Sequence, residues 1–171
     1  MNNKKRLVIA LATCLTASVY GQTPIDGDWQ LQSPSNTQAT LDEAVDTVVK
    51  EMNFFIRGFA RSALEKEAVV CQQWQMQSDA KHFTWQCDDQ APVTISRIGA
   101  MSLKGDDDRT ITATMRETGG RVETTLVSER GKRTNIWQLN SSEELAYTAV
   151  LESEKLPKPL QWTLIYRRVT P

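Results

Sequence analysis

The sequence predicts a mainly β protein: an antiparallel up-and-down barrel of about eight to ten strands, with a helical insert after the first strand. Two observations carry this. The chain from residue 109 to 169 alternates apolar and polar residues with period two, broken by turn signals about every ten residues. Residues 40–59 instead carry apolar residues at helical spacing.

The alternation is clearest at the end of the chain. Leu160, Trp162, Leu164 and Tyr166 share one face, and Gln161, Thr163 and Arg167 share the other. Leu145, Tyr147, Ala149 and Leu151 repeat the pattern, as do Ile111, Ala113 and Met115. Gly119-Gly120, Glu129-Arg130-Gly131-Lys132, Asn140-Ser141-Ser142 and Pro157-Lys158-Pro159 supply the turns. Connections this short suit antiparallel neighbours, because a helical crossover needs a longer link. A sheet with one apolar face must curl on itself or be covered, and closure also removes exposed edges.

Residues 1–21 read as an export signal rather than part of the fold. Lys4, Lys5 and Arg6 precede a short apolar stretch, and Val19-Tyr20-Gly21 places a cleavage site before Gln22. A less favoured alternative is lipid attachment at Cys14, where Thr13 stands at a position that usually holds a smaller residue. Removal of the segment leaves 17 of the 20 basic residues against 21 acidic ones, a net charge of −4. No basic stripe remains, which disfavours nucleic-acid binding. Residues 22–171 suit a single domain, expected to be monomeric, with no further apolar run long enough to span a membrane. The bacterial periplasm is the compartment this predicts.

Cys71 and Cys87 then form an even pair in an exported chain, and a disulfide is the expected reading. They bracket a hairpin turning at Ser78-Asp79-Ala80, in a register that sets the two cysteines opposite each other. Before it, residues 27–31 start the first strand and residues 33–40 read as a loop. Thr40-Leu41-Asp42-Glu43 is a capping box at the start of a helix. Its stripe runs Leu41, Val45, Val48, Met52, Phe55 and Phe59, with Gly58 as a stop or kink and a short second helical turn to follow. The stripe is expected to pack on the barrel, as a plug or on an outer face, in preference to lying on a membrane.

Gly27-Asp28-Trp29 on the first strand resembles the Gly-x-Trp signature that opens lipocalin barrels. That resemblance implies an arginine from beyond the last strand, Arg167 or Arg168, packed over Trp29. The helical insert is similar to that of the fatty-acid-binding proteins, which hold a carboxylate with an Arg-x-Tyr pair on the last strand; here the order is Tyr166-x-Arg168. The second lipocalin signature, Asn-x-Thr-Asp-Tyr, is absent. Met52-Asn53-Phe54-Phe55 and the Tyr166-Arg167-Arg168 ending also resemble exported bacterial proteins of lipocalin-like type, a likeness that brings no activity with it.

Chemistry is sparse. His82, the one histidine, has Lys81 and Phe83 as neighbours and reads as surface decoration. Ser78-Asp79-Ala80-Lys81 has Ser-x-x-Lys spacing but sits on a turn rather than a helix. Gly105-Asp106-Asp107-Asp108 lacks the alternation of a calcium loop. There is no glycine-rich phosphate loop, and no cofactor is expected. Nothing assembles a nucleophile, a base and an oxyanion site, so an enzyme is the least supported class.

Two classes remain. One is a binding protein holding a hydrophobic or lipid-like molecule, with Phe55, Phe59, Leu160, Trp162, Leu164 and Tyr166 lining a cavity and Tyr166 with Arg168 on the head group. The other is an interaction or inhibitor module with a filled barrel that docks a periplasmic partner through residues 102–109. The five tryptophans serve either equally well, as core or as cavity lining.

Overall fold

A computed structural model of the chain describes residues 22–105 and 107–169; the export signal and Cys14 lie outside them. Ten antiparallel strands form one sheet that curls into a nearly closed barrel. They are β1 (Gly27–Leu31), β2 (Gln73–Ser78), β3 (His82–Cys87), β4 (Val93–Ser96), β5 (Met101–Lys104), β6 (Thr110–Thr118), β7 (Arg121–Ser128), β8 (Gly131–Leu139), β9 (Glu144–Glu152) and β10 (Leu160–Arg168). The spatial order is β4-β3-β2-β1-β10-β9-β8-β7-β6-β5, a meander in which β1 joins the first and last strands. At the remaining gap β4 approaches β6, and Arg97 reaches Glu117 across it at 2.6 Å.

The helical insert follows β1, as expected, but its boundaries differ. The first helix, α1, spans Pro34–Val49, starting six residues before Thr40 with proline in its first turn. Proline lacks the N–H that a first turn leaves unbonded, so it opens a helix easily. Thr40 therefore lies inside the helix, where its hydroxyl donates to the Asn36 carbonyl. Leu41, Val45, Val48 and Val49 are buried, and α1 packs on β10. The stripe then breaks. A short 3-10 turn, Phe54–Ile56, starts the chain in a new direction, with the Asn53 side chain accepting from the Phe55 N–H. The second helix, α2 (Arg57–Glu67), contains Gly58 rather than stopping there.

The disulfide between Cys71 and Cys87 is present, with Cα atoms 5.2 Å apart. The hairpin register differs from the expectation. Ser78 pairs with Phe83, so Cys87 faces Trp74 and Cys71 lies ahead of β2. The bridge thus fastens the segment leaving α2 to the far end of β3.

The strands alternate as predicted. Trp74, Phe83, Trp85, Trp137, Tyr147 and Tyr166 turn inward and pack as one aromatic cluster, with ring centroids 4.9–6.4 Å apart. Edge-on and tilted contacts of this kind suit the ring quadrupoles. The cluster fills the interior toward the base, the end away from the helices.

Candidate functional site

The base is closed by a cation over a ring. The Arg168 guanidinium lies 4.1 Å from the Trp29 ring centroid. It also donates to the carbonyls of Ser142, Asp26 and Pro24 at 2.9, 2.7 and 3.1 Å. Trp29 itself is fully buried and donates through Nε1 to the Ile25 carbonyl. Gly27 makes room for this arrangement: it has φ +125°, and a Cβ there would sit 2.8 Å from Arg168 Nη1. The Gly-x-Trp spacing thus has a direct physical meaning. All three Arg168 nitrogens are committed at the base, far from any head group in the interior. Arg167 is exposed on the outer face of β10 instead of packing over Trp29.

Tyr166 is likewise committed. Its hydroxyl donates to the Cys71 carbonyl at 2.8 Å, and burial raises its pKa far above the usual tyrosine value. Leu160, Trp162 and Leu164 face inward and are buried as core. Phe55 points outward, 91% exposed. Of the residues expected to line a cavity, only Phe59 borders one.

That space is a cleft of about 700 Å³ under α2 at the helical end of the barrel. Met52, Ile56, Phe59, Ala60 and Leu64 form its roof, and Ile111, Leu126 and Leu151 its apolar wall. Arg109, Arg130 and Lys132 stand among the rim residues. A second depression of about 860 Å³ adjoins it, lined by residues 127–132 and 152–159, half of them charged.

The deepest polar feature of the cleft is Arg133. Along β8 it shares the inward face with Asn135 and Trp137, two inward positions nearer the helices than Trp137. Its Nε donates to Asn135 Oδ1 at 3.0 Å and its Nη2 to the Tyr147 hydroxyl at 3.2 Å. The Tyr147 hydroxyl donates to the same Asn135 oxygen at 2.9 Å, and Asn135 Nδ2 donates to Thr124 Oγ1 at 3.2 Å. Thr124 and Asn135 are both buried. The Arg133 guanidinium lies 5.9 Å from the Trp162 ring centroid. No carboxylate pairs with it among the described residues, whereas Arg109 and Arg130 both hold Asp107, and Lys132 holds Glu152.

A half-buried arginine without a counter-ion, fixed by neutral oxygens, is preorganised for an anion. Sequence reasoning passed over Arg133, Asn135 and Tyr147 as partners. The signal was there: a charge and an amide occupy the positions that alternation assigns to the same face as Trp137. The other sequence candidates do not converge on a site. His82 is half exposed, 3.5 Å from Asp79. Asp107 is held below the usual carboxylate range by the Arg109 hydrogen bond; Asp106 lies outside the described residues.

No known family's sequence profile matches the chain, and no curated relative does. Solved structures do match. Secretory abundant heat soluble protein 4 from Ramazzottius varieornatus aligns with a TM-score of 0.54 at 11% identity, covering 86% of this chain and 96% of that one. Apo lipid binding protein 8 of Caenorhabditis elegans gives 0.52 at 14% identity, covering 85% and 96%. The Schistosoma mansoni fatty acid binding protein in complex with arachidonic acid gives 0.52 at 10%, covering 86% and 97%. At these identities the likeness is one of fold: this chain shares the barrel of fatty-acid-binding and calycin-like structures.

Proposed function

We propose that the chain is an exported binding protein for a hydrophobic small molecule with an acidic head. The molecule lies in the cleft under α2, apolar part against Phe59, Leu64, Leu126 and Leu151, acid toward Arg133. The observation that carries this is an arginine at the foot of an apolar cleft with no carboxylate partner among the described residues. The cleft volume falls within the roughly 300–1,000 Å³ typical of small-molecule sites. Neighbours of the same fold bearing the names of fatty-acid and lipid binding proteins support it. The acid takes the free donor capacity of Arg133, while Asn135 and Tyr147 hold the guanidinium in place. This replaces Tyr166 and Arg168 as the head-group residues.

The test is calorimetric titration with a long-chain fatty acid and with the matching fatty alcohol. The acid is expected to bind about tenfold or more tightly than the alcohol, as befits a charge-assisted pair. Arg133→Met should erase that preference and leave alcohol binding in place. Equal affinity for acid and alcohol in the parent protein overturns the head-group assignment; binding of neither overturns the carrier.

Export to the periplasm belongs to the same reading, supported by residues 1–21 and the paired cysteines. A mass corresponding to residues 22–171 less two hydrogens in the periplasmic fraction is expected. Full-length, reduced protein confined to the cytoplasm overturns it.

A further inference from the structure

We infer that the turn between the two helices is a docking tip for the surface of a bilayer that carries anionic lipid. Phe54, Phe55 and Phe59 are 76%, 91% and 84% exposed, and Ile56 is 49% exposed, all within six residues. Soluble surfaces rarely gather large apolar side chains so densely without a partner. The tip is rigid. Asn53 caps it through the Phe55 N–H at 3.0 Å. Arg57 ties it back to α1, donating to the carbonyls of Met52 and Lys50 at 3.0 and 2.9 Å. Phe54 and Phe55 meet edge-on, centroids 5.9 Å apart.

Charge selects the partner. Lys50 and Arg57 flank the tip along the chain, and the one carboxylate between them, Glu51, is paired with Lys158 at 2.5 Å. Arg57 bonds only carbonyls among the described residues, so its charge stays available to an anionic surface. Area argues against a second copy of the chain. At roughly 150–250 Å² per aromatic ring, three phenylalanines and half an isoleucine present on the order of 500–700 Å², below the roughly 800 Å² per partner of a stable interface. A narrow apolar projection flanked by two cations instead matches interfacial insertion. No helix among the described residues is long and apolar enough to cross a membrane, so the contact is with the surface.

The test is flotation with vesicles of phosphatidylethanolamine and phosphatidylglycerol, against vesicles of phosphatidylcholine. The parent protein is expected to float with the first and largely not with the second. Phe54→Ser with Phe55→Ser should reduce flotation about tenfold or more, and Lys50→Glu should weaken it in part. Phe55→Trp adds the one exposed indole to five others, and its emission should shift to the blue on vesicle addition. Neither Phe54 nor Phe55 borders the cleft, so fatty-acid titration in solution should be unchanged in the double variant; this separates the tip from the cargo reading. Absence of flotation in the parent, equal flotation of the double variant, or a concentration-dependent dimer that forms through these phenylalanines without vesicle binding overturns the inference.

Discussion

The two ends of the barrel solve opposite problems. At the base, all three Arg168 nitrogens donate to backbone carbonyls, and Trp29 is sealed beneath the guanidinium. At the helical end, Arg133 has no carboxylate partner among the described residues, and Phe54, Phe55 and Phe59 face solvent. The base uses an arginine to close a fold. The helical end leaves an arginine with capacity to spare. The same residue type is structural or receptive according to how many of its donors the chain itself satisfies.

The comparison breaks if the aromatic interior proves soft. Trp137 touches Trp74, Phe83, Trp85 and Tyr147 and is fully buried. Trp137→Ala should cost about 4 kcal/mol, the largest effect expected here, seen as a lowered urea midpoint. A cost below about 1 kcal/mol would mean that the interior is loosely packed and that the cleft extends to the base. Reduction of the disulfide, or Cys71→Ser with Cys87→Ser, should follow at about 3 kcal/mol in the chain-entropy account. Because the bridge fastens the return from α2, amide exchange should quicken first in α2 and in residues 68–72. Arg168→Met comes next, at about 2 kcal/mol, since it removes a cation–π contact and strands three carbonyls that must find water. Fatty-acid affinity should not change in that variant; a loss would move the head-group site back to the base.

How much of this was legible from sequence differs between the two ends for a physical reason. The base could be read because Gly27 and Trp29 are spaced by a strand's alternation and Arg168 ends the last strand, so local pattern and closure coincide. The strand run and the cysteine pair were equally readable. The break at Asn53 was not: Phe55 and Phe59 continue the spacing of Val45 and Val48, so one period ran across two helices and the 3-10 turn between them. Periodicity records which side chains align if the axis stays straight, and it does not record a turn. The start of α1 was hidden by Ser33-Pro34, which reads as loop until the helix behind it is known. Arg133 was passed over because a charge on an inward face looks like an irregularity in the pattern. Such irregularities are where function commonly departs from folding.

Acid tests the contact between the two helices. Asp46 on α1 pairs with Arg61 on α2, and the Arg61 hydrogen bond holds its carboxyl below the usual value. A group whose folded pKa is lowered stabilises the pair above the unfolded pKa, and that contribution is lost as pH falls through the folded pKa. The α1–α2 contact should therefore loosen below about pH 4, read as faster amide exchange in α2 relative to β8 and β9. Asp46→Asn should show the looser α2 at neutral pH and little further change in acid. Both groups are well exposed, so the effect is local and small.

The smallest expected effect has the most telling sign. Arg133→Met removes a charge that the barrel holds half-buried and leaves Tyr147 and Asn135 still bonded to each other. Methionine's shorter, unbranched apolar chain suits the wall formed by Leu126 and Leu151. Stability should stay within about 1 kcal/mol of the parent, unchanged or slightly raised, because a partly desolvated charge costs what a methionine does not. Arg168→Met, the same substitution at the base, should lower the urea midpoint. If both variants are destabilised alike, Arg133 is a structural residue and the two ends are not different in kind. If only Arg168→Met is, the arginine under α2 serves something other than the fold, and the acid-to-alcohol preference lost in Arg133→Met says what.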